Sequence, residues 1–536
     1  MKKSILILFL VLIPGFAIKS YSQFTYNDPD GPGYDENCTT IMVGRLASAD
    51  GSVMTSHTCD GNYRTWLGII PAARHEKGTM HPVYWGTLHT EEAWDMTNVS
   101  KKGEIEEAPE TFAYLSTAYP CLNEKQLAIG ETTIYGREEL RNESGLFLIE
   151  ELQKIALQRC TTARDAIRLI GRLAEEYGYA DLAECITIAD AREVWHFEIA
   201  GSGKGKPSAL WCAQRIPDDH VGICANIPRI STVDFNNPDM FMYSSNLKKA
   251  AKDLGYWDGK EPLKFWKVIN GKKPFAIREY YVFSTLAPSL NLSFDAEELP
   301  FSVKPEKRLS AQDVMKFFRE TYEGTQWDMT KNLMVTVKKK DASGNEVEEK
   351  VKSPMASNWM NADWRNLINE LKPGTIERQR TIAITGCSYS HVIQCRSWLP
   401  DEVGAVAWFS FDNPGQSPRI PIFSGVLRLP QSFNICGQQR YRTDAAIWAF
   451  RETNRLATVN WSKNRELIEN AVKELEDKAI AELPLVENRV KELVSEGKHE
   501  EAGKYVTSYT ESFAGLAMTR WQEMKVTLWG MYGRGF

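Results

Sequence analysis

Short runs of apolar residues, many of them alternating with polar ones, recur from residue 39 to residue 411 and predict β-strands. Three of these runs follow one another closely, as the strands of a meander do. A further run of alternating charged and apolar residues at 335–352 predicts a hairpin on the surface. The predicted strands comprise residues 39–43, 53–58, 127–133, 183–190, 193–199, 209–214, 221–230, 381–385, 390–396 and 405–411.

Apolar residues spaced by three and four predict two helices at residues 146–158 and 162–177, which we expect to lie on a sheet. The helical spacing returns near the C-terminus, where Leu467 and Leu475 share one face. Along the chain, predicted strands flank one pair of helices, and a second set of strands and further helices follow. This order predicts an α+β sandwich. We expect residues 441–536 to form a helical C-terminal region without recognisable chemistry.

The first two predicted strands flank an Asp-Gly pair, which favours a tight turn because glycine accepts positive φ. Cys38 precedes the first strand, and Asp60 follows the second. A two-residue loop would place Asp60 opposite Ile41, on the face away from Cys38. A three-residue loop would place Asp60 opposite Thr40, roughly 7–8 Å from Cys38 on the same face. We prefer the three-residue loop.

Cys38 has distinctive chemistry if the peptide bond between Asn37 and Cys38 is cleaved. The new α-amine would titrate at about 7.7–8.0 and the thiol near 8.5, so the amine could take the thiol proton without a histidine. The alternative is a small apolar cysteine that opens a buried strand. The residues around Cys38 decide between these interpretations.

Two motifs occur in this hairpin: Cys-Thr-Thr-Ile at residues 38–41 and Ala-Ser-Ala-Asp-Gly-Ser at residues 47–52. In this order they resemble the start of the mature chain in the dipeptidase A family of cysteine N-terminal-nucleophile (Ntn) hydrolases. Weaker similarity continues to about residue 430. The resemblance implies a four-layer αββα Ntn sandwich and a dipeptidase whose nucleophile is Cys38.

The resemblance also implies roles for four other residues. Asp60 would orient the α-amine, and Asn226 matches an asparagine that helps to hold the reacting group in bile salt hydrolases and penicillin V acylases. Thr132 stands where those acylases have an asparagine that donates to the oxyanion, and its hydroxyl can donate one hydrogen bond. Arg278 matches an arginine that would bias the thiol toward thiolate or pair with Asp60. His57 replaces an arginine of the acylases, and its role stays open.

The N-terminus has the three parts of a secretory signal peptide: two lysines, an apolar run and small residues before position 23. We therefore expect a signal peptide at residues 1–22 and export to the periplasm or the exterior. Turn-forming and acidic residues at 23–37 predict a removable propeptide, with an ordered N-terminal arm as the alternative. The catalytic domain would then span residues 38–440.

The formal net charge is −6 with both signs mixed along the chain, which argues against nucleic acid or an anionic membrane as partner. The ten cysteines are dispersed and show no zinc spacing, so we expect neither a metal nor another cofactor. Small peptides are the expected substrates. The sequence leaves a homo-oligomer open.

Two other functions fit the same pattern. One is an amidase of the same mechanism that cleaves non-peptide acyl amides, which an activity panel would separate from a dipeptidase. The other is a non-catalytic secreted binding protein, for which the sixteen tryptophans would suit a ligand cleft. The binding protein would keep the bond before Cys38 intact.

Overall fold

The structure, a computed structural model, describes residues 37–205 and 207–534. The predicted signal peptide and nearly all of the predicted propeptide lie outside the described residues. The strands, in chain order, are β1 (Thr40–Val43), β2 (Val53–Asp60), β3 (Gly68–Ile70), β4 (Ala73–Arg74), β5 (Met80–Trp85), β6 (Ser100–Glu106), β7 (Glu110–Thr111), β8 (Tyr114–Ser116), β9 (Leu122–Asn123), β10 (Ala128–Thr133), β11 (Ala183–Ala189), β12 (Val194–Gly201), β13 (Ala209–Arg215), β14 (Val221–Cys224), β15 (Phe241–Tyr243), β16 (Ser302–Val303), β17 (Met334–Lys340), β18 (Glu346–Lys352), β19 (Cys387–Cys395), β20 (Ala405–Phe411) and β21 (Ile420–Phe423). The α-helices are α1 (Ile149–Arg159), α2 (Ala163–Tyr177), α3 (Leu247–Asp253), α4 (Phe265–Ile269), α5 (Ile277–Leu286), α6 (Ala311–Phe317), α7 (Ala362–Leu371), α8 (Asp401–Gly404), α9 (Ala446–Thr458), α10 (Trp461–Ser495) and α11 (His499–Met531).

Two large antiparallel sheets contain most of these strands. One is seven-stranded, in the order β16-β14-β1-β2-β19-β20-β21, and the other is eight-stranded, in the order β15-β13-β12-β11-β10-β9-β8-β3. Strands β11, β12 and β13 pair consecutively, which confirms the predicted meander. The charged stretch at 335–352 forms the separate two-stranded hairpin β17-β18, also as predicted.

Helices pack on both sheets, and strands of the two sheets contact each other. Helix α2 contacts β11, β12 and β13, whereas α9 and α11 contact β20 and β21. Strands β1 and β2 contact strands β10 and β12 of the eight-stranded sheet. Residues from all these elements, including Ile41 and Trp521, belong to one hydrophobic cluster. The predicted α+β class is therefore confirmed.

Local chemistry explains where α2 lies. The Thr162 side chain accepts a hydrogen bond from the Asp165 N–H and so satisfies one of the free donors of the first turn. Apolar residues at three and four spacing, such as Ile167 and Ile170, are buried against the sheet. Gly178 ends the helix at φ 85°, a conformation that glycine adopts without steric cost.

The register of the first hairpin differs from the expected one. Thr39 pairs with Thr58, so continuing the same antiparallel register places Asp60 level with Asn37. We expected Asp60 opposite Thr40, and that expectation is wrong. The strands themselves lie where the apolar pattern predicts them.

The reason is a longer connection between the strands, which comprises residues 44–52 instead of a three-residue turn. Its Asp50 carboxylate accepts a hydrogen bond from Ser52 N at 3.0 Å, which closes the local turn. Ser48 forms a bridge to Leu309, a residue distant in sequence. The Asp-Gly signal locates a turn correctly, but the tertiary contact at Ser48 sets the length of the whole loop.

The predicted strand at residues 381–385 is wrong, because this segment is a loop that precedes β19. Thr381 Oγ1 donates to the Ala383 carbonyl at 2.6 Å, a local bond that favours a turn. Ile382 and Ala383 are fully buried, so the apolar run reflects burial and not strand pairing. Among the described residues, none of the helices combines the length and the apolar character needed to cross a membrane.

Candidate active site

Cys38 lies two residues before the start of β1 and is buried, with 2% of its surface exposed. Backbone pairing fixes its position, since Thr58 N donates to the Thr39 carbonyl at 3.0 Å and Thr39 N donates to Thr58 Oγ1 at 2.9 Å. Strand β1 is held on its other side by β14, from Thr40 to Val43. The candidate nucleophile is therefore attached to the centre of the seven-stranded sheet.

Two guanidinium groups surround the peptide bond between Asn37 and Cys38. Arg278 Nη1 donates to the Cys38 carbonyl at 2.7 Å and lies 3.4 Å from the Asn37 carbonyl oxygen. Arg380 Nη2 also donates to the Asn37 carbonyl. The Tyr135 hydroxyl donates to Asn37 Oδ1 at 2.8 Å. Positive charge therefore polarises the Asn37 carbonyl, and hydrogen bonds hold both the backbone and the side chain of this residue.

Arg278 and Asn226, both predicted as site residues, contact each other. Arg278 is the second residue of α5, and its Nη2 donates to Asn226 Oδ1 at 2.9 Å and to the Ala225 carbonyl at 3.0 Å. Asn226 Nδ2 donates to the Thr133 carbonyl at 2.7 Å. Asn226 has φ 69°, a left-handed conformation that asparagine tolerates better than most residues. The sharp turn after β14 thus aims this amide at the arginine.

Asp60 ends β2 with its carboxylate fully buried. It forms an ion pair with Arg380, whose Nη2 lies 2.7 Å from Asp60 Oδ2, and accepts a hydrogen bond from Thr58 Oγ1 at 3.1 Å. Burial raises the pKa of Asp60, and the charge of Arg380 opposes that rise. Burial raises the pKa of the Cys38 thiol well above its usual range, and a backbone hydrogen bond from Asp60 opposes that rise.

Arg380 is a residue that the sequence reasoning missed. It precedes the loop that was predicted as a strand, and it lies 320 positions beyond its partner Asp60. Arg278, which the sequence predicts either to bias the thiol or to pair with Asp60, donates to the Cys38 and Ala225 carbonyls, to Asn226 Oδ1 and to the Thr39 hydroxyl. Its charge, like that of Arg380, opposes the rise in the pKa of Asp60 that burial causes, and Arg380 forms the ion pair with that carboxylate. The role of Arg278 stays a prediction.

Glu131 is the second missed residue, and it lies against the Cys38 sulfur. The sulfur, a Glu131 carboxylate oxygen and a His57 ring nitrogen are all within 4.8 Å of one another. Burial raises the pKa of Glu131 to about 8. Burial lowers the pKa of His57 to about 4, so this imidazole is neutral at pH 7. A glutamate inside a buried apolar strand was the signal in the sequence that could have identified Glu131.

Thr132 follows Glu131 on β10, so its side chain points to the other side of the strand. Its hydroxyl donates to Cys224 Sγ at 3.1 Å. The structure brings Cys38, Asp60, Asn226 and Arg278 together, but it places the Thr132 hydroxyl on a different cysteine. The role of Thr132 as an oxyanion donor stays a prediction.

Two trios of side chains bring potential metal ligands close together in the described part of the chain. One is Cys38 with His57 and Glu131, and the other is Cys185 with His196 and Cys224. His57 Nδ1 already lies 2.6 Å from the Glu131 carbonyl oxygen, and His196 Nε2 lies 2.7 Å from a Glu198 carboxylate oxygen. We assign no metal to either trio. The expectation that no metal is needed stays a prediction.

Known proteins with similar sequences identify the family of this chain. The family model of peptidase family C69 matches residues 37–474, a range that begins next to Cys38. A probable dipeptidase of Latilactobacillus sakei is 25% identical over 404 residues, which cover 73% of this chain and 74% of that protein. A probable dipeptidase B of Lactococcus lactis is 25% identical and covers 74% and 76%, respectively. Dipeptidase A of Lactobacillus helveticus is 20% identical and covers 80% and 84%.

The protein is therefore an enzyme of the peptidase class. It belongs to peptidase family C69, whose model matches most of the chain. The resemblance to the dipeptidase A family that the hairpin motifs indicated is confirmed.

Proposed function

We propose that the protein is an exported dipeptidase whose mature chain begins at Cys38 and whose nucleophile is the thiol of that residue. The observation that carries the proposal is the bond between Asn37 and Cys38, whose carbonyl accepts from Arg380 and lies near Arg278. A buried thiol next to a carbonyl that is held in this way suits acyl transfer. The names of the relatives support dipeptides as substrates.

In the mature enzyme the α-amine of Cys38 would take the thiol proton, and the thiolate would attack the carbonyl of the dipeptide. Asp60 would orient the ammonium form of that amine. The Asn226 amide, fixed by Arg278, would stabilise the oxyanion. Water would then hydrolyse the thioester, so the cycle uses only groups of this chain and water.

The proposal includes the four-layer αββα arrangement of the Ntn hydrolases. The contacts of β1 and β2 with β10 and β12 support two central sheet layers. The packing of α2 on the eight-stranded sheet and of α9 and α11 on the seven-stranded sheet supports two outer helical layers. Export by the signal peptide at residues 1–22 and removal of residues 23–37 complete the proposal.

A substrate panel with two cysteine variants tests this function. We expect the purified mature enzyme to hydrolyse dipeptides faster than bile salt conjugates or penicillin V, and Cys38→Ala to abolish that activity. Cys395→Ala is the matched control, since Cys395 is also fully buried in the seven-stranded sheet. Full activity of Cys38→Ala would exclude the proposed nucleophile, and a preference for acyl amides would indicate the amidase alternative.

A further inference from the structure

The described chain contains the intact peptide bond between Asn37 and Cys38, and this state poses a chemical problem. Before cleavage the Cys38 nitrogen belongs to an amide and cannot act as a base. The α-amine mechanism therefore serves the mature enzyme but cannot generate it. If the chain cleaves itself, another group must take the thiol proton.

Glu131 is a carboxylate in the right position for this task. It lies in the trio within 4.8 Å of the Cys38 sulfur, a separation that a side-chain rotation or one water can bridge. Its Oε2 makes no hydrogen bond to the described part of the chain, although the side chain is fully buried. Within the described residues, the ionisable group that lies in ion-pair range of Oε2 is His57, whose Nδ1 is 3.8 Å away and whose ring is neutral at pH 7, and no lysine or arginine pairs with Glu131. A buried carboxylate without such partners is expensive to maintain, which favours a chemical role.

The surroundings of Glu131 also adjust its basicity. Glu184 is a buried carboxylate that is electrostatically coupled to Glu131 and carries a raised pKa of its own. Two carboxyl groups this close do not both ionise readily, so they hold a proton between them near neutral pH. Burial raises the pKa of Glu131 to about 8, which makes it a stronger base than an ordinary carboxylate, and burial also raises the pKa of the Cys38 thiol, so this thiol needs a base of that strength beside it.

His57 is the other candidate base at the sulfur, and its geometry is less suitable. Its Nδ1 lies 2.6 Å from the Glu131 backbone carbonyl oxygen and 3.2 Å from the Glu131 backbone nitrogen. Burial lowers its pKa to about 4, so it is a weaker proton acceptor than the carboxylate at neutral pH. His57 therefore positions the strand that carries Glu131.

We propose that Glu131 is the general base that activates Cys38 for cleavage of its own preceding peptide bond. This inference rests on the proposed function, because it assumes that the mature chain begins at Cys38. It assigns to Glu131 a step that the α-amine cannot perform.

The proposed step is balanced as follows. Glu131 takes the thiol proton while the sulfur attacks the Asn37 carbonyl carbon, and the oxyanion that forms accepts hydrogen bonds from Arg380 and Arg278. The C–N bond then breaks, and the proton on Glu131 passes to the departing Cys38 nitrogen. The result is a thioester between Asn37 and the Cys38 sulfur, with a free α-amine. Water hydrolyses the thioester to the Asn37 carboxylate and the Cys38 thiol.

The rate of precursor cleavage in Glu131→Gln tests this proposal. Intact mass spectrometry of freshly made full chain would follow the loss of the segment before Cys38. We expect Glu131→Gln to cleave at least about 10²-fold more slowly than the wild type, the usual contribution of a general base. Glu150→Gln is the matched control, since Glu150 is also buried with a pKa raised to about 8 but lies on α1. It should cleave at the wild-type rate.

Two further measurements separate a base from a structural residue. The wild-type cleavage rate should rise with pH through the ionisation of Glu131 near 8 and then level off, and Glu131→Gln should lose this rise. In a chain whose residues 32–37 are replaced by the recognition sequence of a site-specific protease, releasing Cys38 should give the Glu131→Gln protein measurable dipeptidase activity. A released protein that is inactive, or that unfolds at a much lower temperature, would overturn the assignment in favour of a structural role.

The outcomes also distinguish this inference from the proposed function. Suppose that the wild-type chain cleaves itself, that the Cys38→Ala precursor stays intact, and that Glu131→Gln cleaves at the wild-type rate. These results would overturn only the role of Glu131 and would leave the proposed function in place. Equal cleavage of the wild type and Cys38→Ala, or no cleavage of the wild type, would overturn self-processing and with it the need for any such base.

Discussion

The ion pair between Asp60 and Arg380 lies where the α-amine of the mature enzyme would form. Arg380 bonds both to the Asp60 carboxylate and to the Asn37 carbonyl, so removal of the propeptide would leave one of its donors without that partner. We infer that the pair keeps opposite charges next to the reacting nitrogen.

Asp60→Asn should therefore impair catalysis more than folding. The substitution keeps the shape and most hydrogen bonding but removes the charge, so we expect kcat for dipeptides to fall by about 10²-fold or more, the scale of a positioned catalytic group. Asp412→Asn is the control, because Asp412 is equally buried and pairs with Arg451 in the bend that follows β20. Wild-type kcat in Asp60→Asn, measured on correctly processed protein, would refute the role of Asp60.

The substitution Thr132→Val tests whether Thr132 contributes to catalysis, since its hydroxyl bonds to Cys224 and not to Cys38. Its hydroxyl contacts Cys224 Sγ, so the loss of this hydroxyl should change kcat/KM less than about threefold and lower stability by about 1 kcal/mol. Loss of a genuine oxyanion donor costs about 10²–10³-fold in kcat. A fall of that size in a folded Thr132→Val protein would support the predicted role of Thr132 as an oxyanion donor.

Sequence alone could indicate Cys38 and Asp60, because they flank a recognisable hairpin motif, whereas Asn226 and Arg278 were predicted only through the family resemblance. Arg380 could not be predicted in the same way, because its contact with Asp60 spans 320 positions and no spacing rule connects them. The contact of Glu131 with the sulfur depends on how two sheets pack. The local sequence indicates what chemistry a residue can perform, whereas the tertiary fold determines which side chains surround it.

At the scale of elements, strands and helices with strong periodicity were predicted well. Strand β20 has the predicted bounds, and helices α1 and α2 each differ from prediction by at most a few residues. Two kinds of prediction failed. At residues 381–385 a buried apolar loop was predicted as a strand, and at Ser48 a contact with a distant residue makes the loop longer than predicted. Local pattern specifies an element, and tertiary contacts specify its register.

The charged hairpin β17-β18 gives a prediction at this scale. Most of its side chains are exposed, and in the folded chain Ser353 N donates to the Leu333 carbonyl across its base. Replacing residues 335–351 by an Asn-Gly turn should therefore leave dipeptide turnover within about twofold and change stability by less than about 1 kcal/mol. Loss of activity in the folded, processed deletion protein would show that the hairpin contributes to the site.

At the scale of the whole molecule, buried carboxyl groups make stability depend on pH. Glu150 has a folded-state pKa of about 8, raised mainly by burial, against about 4.3 in an unfolded chain. Between these values the unfolded state releases the proton while the folded state keeps it. The contribution of Glu150 to stability therefore decreases as pH rises from about 4.3 to about 8.

Glu150→Gln removes this titration and should make the protein more stable than the wild type at pH 8.5, by about 1–4 kcal/mol. Below pH 4 the advantage should disappear, because Glu150 is then protonated in both states. Denaturant unfolding at both pH values checks the sign. An equal difference between the two proteins at both pH values would contradict the assigned pKa.

Intact mass measurement of the active enzyme shows whether its chain begins at Cys38. We predict a mass that corresponds to a chain starting at residue 38 and an N-terminal cysteine on sequencing, together with an inactive Cys38→Ala protein that keeps the segment before residue 38. A fully active enzyme that begins at Gln23 or Phe24 would exclude the N-terminal nucleophile, because its Cys38 would carry no α-amine.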